Sequence, residues 1–143
     1  MTSEQLEAEL SALATEDRKR TNEWFFKTGK GEYGEHESFI GVSVPDIRKT
    51  ISSYKEISLA ELKKTLYSPI HELRLAALLI LVAQFKKEDR KVRKKIFDFY
   101  LKHKKQVNNW DLVDLSAPHI VGEYLYTYDR SNIKVIDELN KSK

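Results

Sequence analysis

The 143 residues, 41% hydrophobic and 33% charged, suit one globular domain with a sizeable core, so a single domain over 1–143 is expected. The chain has no cysteine, which excludes disulfides and thiolate metal sites and makes an intracellular, cytoplasmic setting the expectation. Met1 to Arg20 is acidic and lacks the apolar stretch of a signal peptide, and the longest apolar run, Leu75 to Ala83, is too short to span a bilayer, so a soluble chain without a membrane partner is expected.

In chain order the pattern is helical nearly throughout. Leu6, Leu10 and Leu13, followed by Trp24 and Phe25, recur at helix-compatible intervals and predict one helix from Ser3 to about Lys27. Four of the five glycines fall between Gly29 and Val44, which reads as a loop. Gly29-Lys30-Gly31 lacks the spacing of a nucleotide-triphosphate loop and follows a helix where that loop follows a strand, so such a site is rejected. The run Phe39 to Pro45 leads into a helix amino-terminus, either as a plain connection or as amides open to a phosphate. Pro45 suits the first helical position, with Ile47, Ile51 and Tyr54 as the buried side. Ser58-Leu59-Ala60-Glu61 is a capping box that starts a helix to about Tyr67.

Ser68-Pro69 starts the most apolar helix. Leu73, Ala76, Ala77, Ile80, Leu81 and Gln84 trace one face, while Leu75, Leu78, Leu79 and Val82 cover most of the rest. A helix apolar nearly all round must be buried between neighbours. Lys86 to Lys105 then carries ten basic residues against three acids, a net +7, against −4 for the rest of a chain whose total is +3. Such asymmetry fits either an anionic partner such as nucleic acid or a solvated outer face. Val92, Ile96, Phe99 and His103 are its expected inner stripe; Lys91, Lys94, Lys95, Lys102 and Lys105 are its outer side. The next helix, opening at Trp110, is expected to bend or break near Pro118, with Ile120, Val121, Tyr124 and Leu125 packing beyond it. A last short helix after Ser131 has Ile133, Ile136 and Leu139 inward. No useful strand alternation appears, so the fold class is all-α, an α-α superhelix or compact bundle.

The four histidines have no ligand spacing among themselves, and His36 between Glu35 and Glu37 is only a weak metal hint, so no metal and no cofactor are expected. No nucleophile elbow is present, so covalent hydrolase chemistry lacks support. Within Asn108-Asn109-Trp110-Asp111-Leu112-Val113-Asp114, Trp110 and Asp114 stand four residues apart and share a helix face. An indole beside a carboxylate can hold a planar cation or a developing positive charge. The same residues also serve a plain helix, in which Asn109 caps, Asp111 complements the dipole and Trp110 packs inward. The aromatic groups at Trp24, Phe25, Phe26 and at Phe97, Phe99, Tyr100 read mainly as core, with Trp24 or Phe25 alternatively facing a groove.

Four ordered blocks carry a resemblance: Gly31-Glu32-Tyr33-Gly34; Phe39-Ile40-Gly41-Val42 with Val44-Pro45 and Arg48; Ser68-Pro69-Ile70-His71-Glu72; and Asn108 to Asp114. Together they resemble the HEAT-like-repeat DNA alkylation-repair glycosylases, the AlkD-like proteins, over essentially the whole chain. The resemblance implies a HEAT-like repeat solenoid with a basic concave surface for double-stranded DNA. It implies hydrolytic excision of positively charged N3- or N7-alkylated purines without enclosing the flipped base. By the same resemblance Asp114 is the catalytic carboxylate and Trp110 an aromatic against the deoxyribose, while Phe25 and Trp24 fall near another cleft aromatic. Lys94 and Lys95 are the candidate DNA-binding lysines of the basic segment. In the family a segment of the type Trp-x-x-Arg-Arg, supplying a cleft arginine, follows shortly after the position that Lys143 matches. The chain is therefore expected to be the amino-terminal portion of the fold, truncated, with self-association through its open carboxy-terminal end. The other reading is a non-catalytic helical-repeat module that binds DNA structure or a protein partner.

Overall fold

The computed structural model describes residues 1–25 and 38–128, with Phe25 and Trp110 described through their backbones only. The expected glycine-rich loop up to residue 37, His36 and the helix after Ser131 lie outside the described residues. The described chain is all-α, and an isolated parallel bridge between Ser38 and Ile70 is its one strand-like pairing. It divides into two compact units, Met1–Ala77 and Leu78–Lys143.

The first unit opens with α1 (Ser3–Ala12) and α2 (Glu16–Phe25), where a single helix was expected. Thr2 and Gln5 form a reciprocal capping box at the start of α1, with both bonds at 3.0–3.1 Å. The helix then ends because Thr15 has two other partners. Its amide donates to the Gly41 carbonyl at 2.9 Å, and its hydroxyl accepts from the Arg18 amide at 3.1 Å, capping α2. A contact with a residue 26 positions away therefore outweighs the local helical preference.

Ser43 caps α3 (Val44–Ile51), which puts Pro45 one position later than expected, still within the first turn where its missing amide is harmless. Ile47, Ile51 and Tyr54 are buried as expected. Ser58 accepts from the Glu61 amide to start α4 (Leu59–Leu66). Glu61 itself reaches to the Ser3 amide at 2.9 Å and to Lys64 at 2.9 Å. Those two contacts, the Ser3 amide first, hold its carboxyl below the usual range. The expected capping box thus yields its carboxylate to a tie between α4 and the start of α1. The Ser3 and Thr65 hydroxyls, 2.8 Å apart, reinforce it.

The long helix α5 (His71–Lys87) runs through the boundary of the two units. Every residue from His71 to Val82 is buried, which confirms the all-round apolar reading. Burying each such leucine or isoleucine contributes ~1.5–3 kcal/mol. In the second unit, Asp89 caps α6 (Arg90–Lys102). Its inner stripe is turned from the expected one: Ile96, Phe97 and Tyr100 are buried with His103, whereas Val92 and Phe99 are half-buried. Two partners explain the turn. Phe97 stacks on Tyr124 at 4.3 Å, and the Tyr100 hydroxyl meets that of Ser116 at 2.8 Å.

A 3-10 turn (Lys104–Gln106) leads to α7 (Trp110–Ala117). The α-helical run stops at Ala117, a break at the expected place before Pro118; the chain then widens into a π-helical segment (Pro118–Gly122) and continues as α8 (Glu123–Tyr128). Proline has no amide hydrogen for an α-helical bond and crowds the preceding turn. The wider turn that follows keeps the chain helical, with the Glu123 amide reaching back to the Pro118 carbonyl. Ile120, Val121, Tyr124 and Leu125 are buried as expected, and α6 packs on the π segment and α8.

Candidate functional site

In α7 the buried side chains Leu112, Val113, Ser116 and Ala117 turn inward, and Asp114 is left exposed. The Asn109 carbonyl accepts the first helical bond, from the Val113 amide at 3.1 Å, so its backbone stands at the expected cap. Ser116 donates to the Leu112 carbonyl as well as meeting Tyr100, which fixes the rotation of α7 against α6. Trp110 lies one turn before Asp114 on the same side of the helix. The two acids of the motif differ: Asp111 is 8% exposed, whereas Asp114 opens to water beside the exposed Pro118 and His119. An exposed carboxylate on a rotationally fixed helix can face a developing cation or accept a hydrogen bond from a water molecule. The π segment begins one turn after it, a distortion that recurs at functional sites.

The basic segment resolves into structural and surface charges. Arg93 donates to the carbonyls of Phe85 at 2.8 Å and Lys86 at 3.1 Å, closing the end of α5. Its guanidinium also lies over the Phe85 ring, and that of Arg90 over Tyr128, each at 4.9 Å. Lys91, Lys94, Lys95 and Lys102 are exposed, as expected of the outer side. Lys94 pairs with Asp98 at 2.9 Å, a bond that raises its pKa above the ordinary lysine value. Lys95 is therefore the cleaner candidate for a phosphate contact. Among the described residues, no helix is long and apolar enough to cross a membrane.

The remaining predicted site residues belong to the first unit. Trp24, in the last turn of α2, is 80% exposed, so its indole is not core; Phe25 is the last residue of that helix. Nothing in α2 from Glu16 to Trp24 is buried. Sequence reasoning missed what holds this region. Glu72, 2% exposed in the first turn of α5, accepts from the amides of Ile40 at 3.1 Å, Gly41 at 2.8 Å and Val42 at 3.1 Å. Its fourth bond comes from the Asn22 side chain at 3.3 Å. Bonds to an ionised group are worth ~1.5–3 kcal/mol each. The amides of residues 40–42 in the run before α3 are thus occupied by the chain's own carboxylate, and at the amino-terminus of α3 the Asp46 amide is taken by the Ser43 hydroxyl. His71 beside it is buried against Phe39, with ring centres 4.8 Å apart, and its amide bonds the Ser38 carbonyl at 2.8 Å. The signal for Glu72 was present in the sequence: an acid in the first turn of a helix whose residues 75–82 are all apolar needs internal partners.

The second unit thus presents an exposed carboxylate on α7 and exposed lysines on α6. Residues 6–143 match the model of the DNA alkylation repair enzyme family, and the chain belongs to that family. Membership supports a role in DNA repair and a DNA partner. No curated protein and no solved structure matches the chain.

Proposed function

We propose that this protein is a DNA glycosylase that excises positively charged N3- or N7-alkylated purines from duplex DNA, with Asp114 as its catalytic carboxylate and Trp110 as the aromatic beside it. Its helices form a HEAT-like repeat array in this reading, and Trp24, Phe25, Lys94 and Lys95 contact the DNA. The observation that carries the reading is the exposure of Asp114 on the face of α7 that Trp110 shares, within a chain of this family.

The chemistry needs little from the protein. Alkylation leaves the purine cationic, so it departs with the electrons of the glycosidic bond as a neutral base, and no general acid is required. The deoxyribose left behind is an oxocarbenium ion, which a carboxylate and an aromatic face stabilise. Water then adds to C1′ and gives its proton to Asp114 or to solvent.

The test is release of 7-methylguanine or 3-methyladenine from methylated duplex DNA. Asp114→Asn keeps the shape and removes the charge, and is expected to slow release by about 10²-fold. Trp110→Ala is expected to weaken binding more than it slows the chemistry. Equal release by wild type and Asp114→Asn refutes the assigned role. Binding of duplex DNA with no release by the wild-type protein favours a non-catalytic DNA-binding module.

A further inference from the structure

Helix α2 presents an unusual problem of attachment. A helix normally docks by burying an apolar stripe, yet nothing from Glu16 to Trp24 is buried. Of its charges, Arg20 pairs within the helix, with Asp17 at 2.6 Å. Two polar contacts tie it to the rest of its unit. At its start, the Thr15 amide bonds the Gly41 carbonyl at 2.9 Å. Near its end, the Asn22 side chain bonds Glu72 at 3.3 Å, two residues before the exposed indole of Trp24. Both points converge on one carboxylate, because Glu72 also receives the amides of Ile40, Gly41 and Val42. Glu72 sits on the buried face of α5 and is itself almost fully enclosed, so it is a fixed reference for everything it holds.

We propose that Glu72 is a positioning residue for the aromatic end of α2, its carboxylate fixing where Trp24 meets DNA. The proposal rests on the reading of Trp24 as a DNA contact. Glu72 takes no part in bond breaking. It holds the loop at residues 40–42 and Asn22 to one point, and so converts an otherwise solvated helix into an arm of defined direction. Preorganisation of this kind lowers the ordering cost paid on binding.

The test uses the full chain with Trp110→Phe as background, which leaves Trp24 as the sole indole of the two present. Duplex DNA affinity and DNA-induced quenching of Trp24 fluorescence are measured for Glu72→Gln, Trp24→Ala (affinity only) and the double variant. Glu72→Gln is expected to weaken binding about tenfold, on the scale of one lost aromatic contact, and to abolish the quenching. If Glu72 acts through Trp24, the double variant binds no more weakly than Trp24→Ala. Additive losses overturn the positioning role while leaving the Trp24 contact intact. No loss on Trp24→Ala refutes the Trp24 reading, and the inference falls with it. Leu62→Ala, a core change in the same unit, separates positioning from general destabilisation and is expected to lower stability without changing quenching. Should Glu72→Gln not fold, Asn22→Ala removes only the α2 bond; the same non-additivity with Trp24→Ala is then expected, and additive losses or unchanged affinity and quenching overturn the proposal.

Discussion

At Gly41 the fold leaves no room for a side chain. Its φ of +94° lies in the region that L side chains rarely adopt. A Cβ there would run into the Thr15 carbonyl oxygen and stand 2.7 Å from the Lys19 nitrogen and 2.9 Å from its Cβ. Two of those neighbours are backbone, so the clash cannot be relieved by a rotamer change. Gly41→Ala therefore incurs ~1–2 kcal/mol for the left-handed backbone. Separating α2 from the loop loses the Thr15–Gly41 bond and strains the amides held by Glu72, which adds ~2–3 kcal/mol. A total of ~3–5 kcal/mol corresponds to a fall in Tm of about 10–15 °C for a chain of this length. Gly122 is the internal control. A Cβ there meets nothing closer than the Ala117 carbonyl oxygen at 3.8 Å, an ordinary contact within a helical run. Gly122→Ala is expected to be neutral or to raise stability by ~0.5–1 kcal/mol. Urea and thermal denaturation of both variants give opposite signs if the packing is as described. A Gly41→Ala protein within 2–3 °C of wild type, by the same scale, would refute the close approach of α2 to this loop.

Charge reversal at Lys95 is expected to weaken duplex binding and to reduce the slope of log K against log salt by about 1, read by anisotropy titrations from low to physiological salt. Lys94→Glu additionally faces Asp98, so its effect on binding includes a repulsion within α6 that a thermal melt reads separately. Burial pushes the Tyr100 phenol up to about 12, only partly offset by its bond to Ser116. A raised folded-state pKa gives stability that is complete below the unfolded value near 10 and is lost as pH rises through about 12. Urea midpoints at pH 8, 10 and 11 should therefore fall more steeply for wild type than for Tyr100→Phe. Parallel declines would show that Tyr100 is not the buried group.

Periodicity and local caps were legible in the sequence because both depend on residues within one or two turns. The apolar pattern of residues 73–82 identified α5 as enclosed, Ser43, Ser58 and Pro45 marked helix starts within a residue, and the ordered blocks identified the family. Asp114 and Trp110 were placed on one helix face by spacing alone. The tertiary structure decided what local pattern cannot encode. The first helix breaks because Gly41 claims the Thr15 amide, and Glu61 leaves its capping box for Ser3. The inner face of α6 turns toward Tyr124 and Ser116, and past the break at Pro118 the chain stays helical as a π turn. Apart from the π turn, each of these outcomes satisfies a polar group or an aromatic face with a partner distant in the chain. Glu72 shows the same rule most clearly: its acid was visible in the sequence, but only the fold brings residues 40–42 and Asn22 to it.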